Sequence, residues 1–282
     1  MSNLRTYIYN LFPKSIRNKL GKSKILKPFR DTFFRRNGTY REIRSNIKRQ
    51  YLNYNVEFGF FASLQVALKA KERGIENTLL RHSIELLQKR RNGNNDYAVF
   101  DVGTNFGYLS LVWANSVCEN GKVYSFEPHP NLYKSFINSV NFNQLNNQIT
   151  PENVAVGNSE GTLNINLVST TANVNTINDK NQKTKSKKVD IITLDSYVEK
   201  NDINKCDLIK IDVDGIELDI LKGSEEIIRK FQPIIIVETN NDFQIIDFFK
   251  RINYNILNMK LKPIQEGELP LNIFCVPEKV ND

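Results

Sequence analysis

The chain has 282 residues and a formal net charge of +8, but the charge is unevenly placed. Residues 1–50 hold 14 Lys and Arg against 2 Asp and Glu, while residues 51–282 hold 25 against 29, so a +12 segment precedes a −4 remainder. That split argues against an evenly basic nucleic-acid groove, and three scattered cysteines (Cys118, Cys206, Cys275) with two histidines (His82, His129) argue against disulfide frameworks, zinc sites and His-based triads.

In residues 1–50, basic residues mix with scattered aromatics, and Pro13 and Pro28 break the stretch into short pieces. The N-terminus lacks a signal-peptide pattern and no run of 18 apolar residues occurs, so a cytoplasmic protein without a spanning helix is expected. FFASLQVALKAKE (60–72) and IENTLLRHSIELLQKR (75–90) carry apolar residues at helical spacing, and Gly74 separates them. RNGNND (91–96) is a turn-rich linker.

From residue 97 the pattern changes to short apolar strands alternating with helices. YAVFDVG (97–103), KVYSFEP (122–128), NVAVG (153–157), TLNINL (162–167), DLIKIDV (207–213) and PIIIVET (233–239) read as strands. YLSLVWANSVC (108–118), NLYKSFINSVNFNQL (131–145), ELDILKGSEEIIRKF (217–231) and DFQIIDFFKRI (242–252) read as helices. Residues 168–190 are polar and low in complexity, a long loop. YNILNMKL (254–261) and LNIFCVP (271–277) have no helix between them, which predicts an antiparallel hairpin at the C-terminal edge of the sheet. The expected fold is α/β with a mainly parallel, Rossmann-like sheet. The expected organisation is a basic segment over 1–54, a helical cap over 55–96 and the main domain over 97–282.

VFDVGTNFGYLS (99–110) is the most informative stretch. A buried strand ends at Asp101, a turn holds Gly103 and Gly107, and a helix follows, the arrangement that places a ligand beyond the strand ends. Dinucleotides want G-x-G-x-x-G, whereas this turn is G-x-x-x-G with Asn105 at the second glycine's place. S-adenosylmethionine has no pyrophosphate; Asp101 can hold its ammonium, and Asn105 with backbone N–H groups can meet its carboxylate. Glu127, at the end of the second strand, suits ribose hydroxyls in either cofactor. The glycine count favours S-adenosylmethionine.

FDVGTNFGYLS, VYSFEPHP, VDIITLDSYV, LIKIDVDGIELDILKG and PIIIVE, in that order, resemble the FkbM family of S-adenosylmethionine-dependent methyltransferases, over about residues 97–250. The resemblance implies a Rossmann-like class I methyltransferase sheet and methyl transfer, usually to a hydroxyl oxygen, on substrates that include polyketides and sugars. By position, Asp101, Gly103, Asn105 and Gly107 would surround the methionine part. Glu127, followed by Pro128, would hold the ribose, and Ala155 would lie near the adenine. The family usually has alanine where this chain has Thr104, which adds a hydroxyl near the cofactor, and glutamate where it has Asp214.

The acceptor should meet the ends of the fourth and fifth strands, where Asp212, Asp214, Glu217, Glu238 and Asn240 cluster. With so few histidines, a carboxylate or Lys210 is the expected proton acceptor, Asp212 first and Glu238 second. A Mg²⁺ ion on Asp212, Glu238 and Asn240 is an alternative, though no metal is the leading expectation. Structural roles compete: Glu217 and Asp214 in a helix-capping turn, Asp195 as the cap of the helix from Ser196, His129 as a turn residue, His82 in packing, Trp113 and Phe106 in the core. An NAD-dependent oxidoreductase and a non-catalytic adaptor are the rival functions. Residues 1–50 suit contact with an anionic surface, the inner membrane face or a phosphate-bearing acceptor; no nucleic-acid partner is expected.

Overall fold

The computed structural model describes residues 35–36, 39–90, 95–167 and 186–278. Most of the basic segment and most of the polar loop therefore lie outside the described residues. No helix among the described residues is long and apolar enough to cross a membrane.

Strands β1 (Glu42–Tyr51) and β2 (Tyr54–Ser63) form an antiparallel hairpin. Alternation drives it: Ser45, Ile47 and Tyr51 of β1 and Val56, Phe58, Phe60 and Ala62 of β2 are buried, while Arg44, Asn46, Lys48 and Gln50 are exposed. This corrects two expectations. Residues 42–50 are not broken pieces, and Phe60–Ser63 end a strand, so that helix α1 spans Leu64–Arg73 rather than starting at Phe60. Helix α2 (Asn77–Arg90) follows and buries Leu79, Leu80, Ile84 and Leu87 on one stripe.

The chain then runs through β3 (Ala98–Val102), α3 (Tyr108–Ala114), β4 (Lys122–Phe126), α4 (Pro130–Phe142), β5 (Ile149–Glu152), β6 (Ala155–Val156), β7 (Gly161–Asn166) and β8 (Ser186–Ile192). It continues through α5 (Leu194–Lys200), β9 (Leu208–Ile211), α6 (Glu217–Lys222), α7 (Glu225–Phe231), β10 (Ile234–Glu238), α8 (Phe243–Arg251), β11 (Tyr254–Leu257) and β12 (Asn272–Pro277). Seven strands form the central sheet in the order β11-β12-β10-β9-β3-β4-β5. All run parallel except β12, which is antiparallel to both neighbours. The expected α/β fold is present, with the C-terminal hairpin at one edge and its last strand on the inner side.

Three local readings change. The third strand of the main sheet is Ile149–Glu152; Ala155–Val156 leaves that sheet and pairs with β8, which also pairs with β7. Ser186–Asp190 therefore belong to a strand and not to the polar loop. The helix expected over 217–231 is two helices, broken at Gly223–Ser224. A Cβ on Gly223 would lie 2.2 Å from the Gly157 carbonyl oxygen, so the break lets two backbones touch.

The pleat of the sheet divides the core. Val99, Val123, Ile149, Leu208, Ile236 and Phe274 join one cluster with the hairpin, α2 and α3. Phe100, Phe126, Ile209, Ile211, Ile235 and Val237 join another with α5 to α8. Helix α3 is buried at every position, as a helix between a sheet and a second layer must be. Its Trp113 and the nearby Phe106 are core residues. His82 packs edge-on against Phe274.

Side chains of α4 and of Asn143, which caps its C-terminus, cover the free edge of β2. Asn143 accepts from the Gly59 N–H (2.8 Å) and donates to the Gly59 carbonyl (2.7 Å), copying a strand, and Ser139 Oγ accepts from the Phe61 N–H (3.0 Å). Asn143→Ala strands both Gly59 groups and should lower stability by about 1–3 kcal/mol; an unchanged urea midpoint would show that water replaces the amide.

Candidate functional site

The sheet reverses its direction of growth between β3 and β9. The chain first moves outward through β4 and β5, then returns on the other side through β9 and β10. A crevice at the carboxyl ends of the strands lies at such a point, and the candidate residues gather there.

Gly103 and Gly107 both adopt left-handed backbone, with φ of 80° and 81°. A Cβ on Gly103 would lie 1.9 Å from the Asp212 carbonyl oxygen, and one on Gly107 would lie 1.9 Å from the Phe136 ring. The glycines thus let the turn close against β9 and α4, a packing demand that was not part of the sequence argument. The N–H groups of Gly103 and Thr104 both donate to the Phe126 carbonyl (3.1 Å). The Thr104 hydroxyl donates to the Asp101 carbonyl (2.7 Å) and stays buried, fastening the turn. Asn105, also left-handed with φ of 57°, leaves its side chain exposed.

Glu127 is buried at the end of β4. Its Oε2 accepts from the Asn105 N–H and its Oε1 from the His129 N–H, both at 2.7 Å. Burial pushes its carboxyl up to about 7, against the pull of these two N–H groups. Asn153 donates to the carbonyls of Glu127 (2.8 Å) and Pro128 (3.0 Å), fixing Ala155 and β6 beside the end of β4. His129 caps α4 through Nδ1, which accepts from the Asn131 N–H (3.2 Å). It is the turn residue expected from its two flanking prolines.

Lys210 occupies the floor. Its side chain is 6% exposed, with Nζ 3.6 Å from Asp101 Oδ1 and 3.5 Å from Asp212 Oδ2, and it donates to the Gly103 carbonyl (3.3 Å). Burial alone would lower its pKa, but Asp212, Asp101 and Glu76 more than offset this and hold the ammonium charged well above its ordinary range. Lys210 is therefore a fixed cation rather than a proton acceptor. On the other side of Asp101, Ser110 donates to Oδ2 (2.5 Å), while Oδ1 is buried without a hydrogen-bond partner.

Asp212 and Glu238 meet across β9 and β10 and share a hydrogen bond. The Lys210 charge holds the Asp212 carboxyl below its usual range. Burial, the bond to Asp212 and the charges of Asp212, Glu217 and Asp214 push Glu238 up to about 8. The two carboxyls therefore titrate as a coupled pair, one held down and the other pushed up.

The remaining acceptor-side candidates divide. Glu217 is buried; its carboxylate accepts from the N–H groups of Val213 (3.3 Å) and Gly215 (3.1 Å) and from the Asn240 amide (2.7 Å). It shapes the turn and ties it to the end of β10 rather than capping the helix, whose cap position, Ile216, has no side-chain hydrogen bond. Asp214 is exposed with φ of 63°. Asp195 is a cap, but of a different helix: Thr193 caps α5 (3.0 Å to the Ser196 N–H), while Asp195 accepts from Ile227 (2.9 Å) and Glu226 (3.1 Å) at the start of α7. Among the described residues no group of three or more His, Cys, Asp or Glu is placed to hold a metal ion.

Two side chains near the crevice were not singled out from the sequence. Tyr40 donates to the Asn131 carbonyl (2.5 Å) and packs edge-on against Phe106. Glu76, between α1 and α2, has Lys210, Asp212 and Asp101 as electrostatic neighbours. Neither follows a spacing that marks a site; only the fold brings them there. A separate depression lined by Asp96, Lys122, Tyr124 and Lys205 opens at the opposite end of the sheet, away from these residues.

The sequence profile of the methyltransferase FkbM domain matches residues 101–256. None of the curated proteins compared matches the chain. Among solved structures, methyltransferase FkbM from Methylobacillus flagellatus KT is similar at 16% identity and a TM-score of 0.46, over 64% of this chain and 44% of that one. This chain thus matches less than half the length of that protein. An O-methyltransferase from Bacillus cereus in complex with SAH is similar at 16% identity and a TM-score of 0.43, over 76% and 88%. A putative caffeoyl-CoA O-methyltransferase from Staphylococcus aureus is similar at 13% identity and a TM-score of 0.40, over 70% and 90%.

Removing the floor cation leaves Asp101 and Asp212 facing each other. Lys210→Met should cost about 3–5 kcal/mol at neutral pH. Because the folded Asp212 pKa is held down by Lys210, that stabilisation is present above the ordinary carboxylate range and fades on acidification through it. Chemical denaturation should thus show the deficit shrinking as pH falls below about 4; a deficit independent of pH would contradict this assignment.

Proposed function

Because the chain belongs to the FkbM methyltransferase family, we propose that it transfers a methyl group from S-adenosylmethionine to a hydroxyl of a small molecule or glycan. The observation that carries this reading is Asp101. Its buried Oδ1 lacks a hydrogen-bond partner, directly beside the glycine turn and one strand from the second buried carboxylate, Glu127. A buried acceptor atom of this kind suits an ammonium group.

The other residues fit the same ligand. Each Glu127 oxygen accepts one backbone N–H and keeps a further lone pair for a ribose hydroxyl. The exposed Asn105 side chain is free to meet a carboxylate, Gly103 and Gly107 with Thr104 shape the turn, and Pro128 and Ala155 border the ribose and adenine side. When bound, S-adenosylmethionine supplies an electrophilic sulfonium methyl, so positioning provides much of the acceleration.

The acceptor hydroxyl is assigned to the Asp212–Glu238 pair. Asp212, kept ionised by Lys210, accepts the hydroxyl's hydrogen bond and orients its oxygen. As the sulfonium–methyl bond breaks, leaving S-adenosylhomocysteine, and the new C–O bond forms, the hydroxyl proton passes to the fully ionised pair, which goes from no proton to one and then releases it to solvent. Asp212 alone is a weak base because Lys210 holds its pKa low; the raised carboxyl of Glu238 is what makes the fully ionised pair more basic. In this reading residues 97–282 form the catalytic domain and residues 55–96 cap it.

Thermal unfolding with each ligand tests the cofactor. S-adenosylmethionine and S-adenosylhomocysteine, each at about a hundredfold excess over Kd, should stabilise the protein by about 2.7 kcal/mol. Stabilisation by NAD alone would overturn the proposal.

The raised acids also set a pH dependence. Between their unfolded values of about 4.3 and their folded values, Glu127 (about 7) and Glu238 (about 8) bind more protons folded than unfolded. Their contribution to stability therefore falls as pH rises through that window. Unfolding temperature should decline towards alkaline pH, and Glu238→Gln should flatten the upper part of the decline; an identical slope in the variant would remove Glu238 from the account.

A further inference from the structure

The linker between α1 and α2 brings a carboxylate to the crevice from outside residues 101–256. Gly74 and Glu76 both adopt left-handed backbone there, with φ of 76° and 48°. Glycine does so freely. Glutamate carries a steric penalty, which persists only where the surroundings impose the conformation.

Here they do. The Leu80 N–H donates to the Glu76 carbonyl (3.0 Å). The Tyr51 hydroxyl donates to Asn77 Oδ1 (2.9 Å) and lies 3.2 Å from the Tyr108 hydroxyl, which is hydrogen-bonded to the Ile75 backbone. The linker is thus held from both the hairpin and the first residue of α3. Glu76 is exposed to solvent there, and Lys210, Asp212 and Asp101 are its electrostatic neighbours.

The charges around it do not balance. Lys210 pairs with Asp101 and Asp212 and is an electrostatic neighbour of Glu76, whose other neighbouring cation is Lys69, so three carboxylates meet two ammonium groups. Asp101 Oδ1, buried and 3.6 Å from the Lys210 ammonium, makes no hydrogen bond and so keeps room for a donor at closer range. Strained backbone that holds like charges together is costly until a further cation joins them.

We propose that Glu76 is a binding residue for the ammonium group at the amino-acid end of the cofactor, acting together with Asp101. This rests on the reading of the crevice as an S-adenosylmethionine site. It makes the N-terminal hairpin and helices part of that site, because they hold the linker in place.

Calorimetric titration of the full chain tests the assignment with two probes. S-adenosylhomocysteine carries the ammonium, and 5′-methylthioadenosine lacks the whole amino-acid end. Glu76→Gln should weaken S-adenosylhomocysteine about tenfold or more, the loss of one charge-assisted bond, and leave 5′-methylthioadenosine unchanged. Glu76→Gly, which suits left-handed backbone, is the control for folding. It should keep the unfolding temperature of the ligand-free protein and lose S-adenosylhomocysteine affinity by the same factor. Unchanged S-adenosylhomocysteine affinity in Glu76→Gln, or an equal loss for 5′-methylthioadenosine, overturns the assignment and leaves the proposed function standing. Failure of the unaltered chain to bind S-adenosylhomocysteine overturns the proposed function, and the role of Glu76 with it.

Discussion

The crevice depends on the ammonium of Lys210, 3.6 Å from one carboxylate and 3.5 Å from another, with almost no water around it. Asp101 ends β3 and Asp212 follows β9, adjacent parallel strands whose registers place Lys210 opposite Asp101. Without the lysine the two strand ends would confront like charges in a poorly solvated place. With it they can approach closely enough for the first turn to lie against the Asp212 backbone, an approach that Gly103 alone permits. The same cation acts on the pair beyond it, holding the Asp212 carboxyl down while burial and the Asp212 charge push Glu238 up. One interaction thus connects the half of the crevice assigned to the cofactor with the half assigned to the acceptor.

The hairpin and first two helices support that crevice from outside. They share a core cluster with one face of the sheet, and α4 completes the hairpin by lending side chains to its open edge. Glu42 reinforces the contact by accepting from Ser135 (2.5 Å) and Asn138 (3.0 Å). Because α3 is walled on all sides, the turn that precedes it is clamped between the sheet and this second layer. A rigid wall of this kind holds site residues within the small tolerances that in-line transfer requires.

Much of the sheet was legible in the sequence because its central strands are buried on both faces and read as unbroken apolar runs, as in VFDV and LIKI. The hairpin was overlooked for the opposite reason. Its buried alternation of Ser45, Ile47 and Tyr51 is threaded by exposed Arg44, Lys48 and Gln50, and the basic residues hid the period. Asp195 shows a different limit. Its capping chemistry was legible, yet its partners lie 31 and 32 residues further along, and a local reading gave it to its own helix. The break at Gly223 follows from contact with Gly157, which no propensity encodes.

The sequence by itself determined strands β3, β4, β9 and β10 with the C-terminal hairpin, the acidic and glycine-bearing turn at 101–107, the carboxylate at 127 and the acidic ends of the fourth and fifth strands. These are properties of residue type and spacing, set by backbone geometry and burial pattern. Only the tertiary structure decided what each charge does. It made Lys210 a fixed cation, turned Glu217 inward to hold a loop, coupled Asp212 to Glu238, and carried Glu76 to the mouth from a helix linker. Ionisation in a crevice depends on desolvation and on neighbours distant in sequence, so the roles emerge only when the chain has brought those neighbours together.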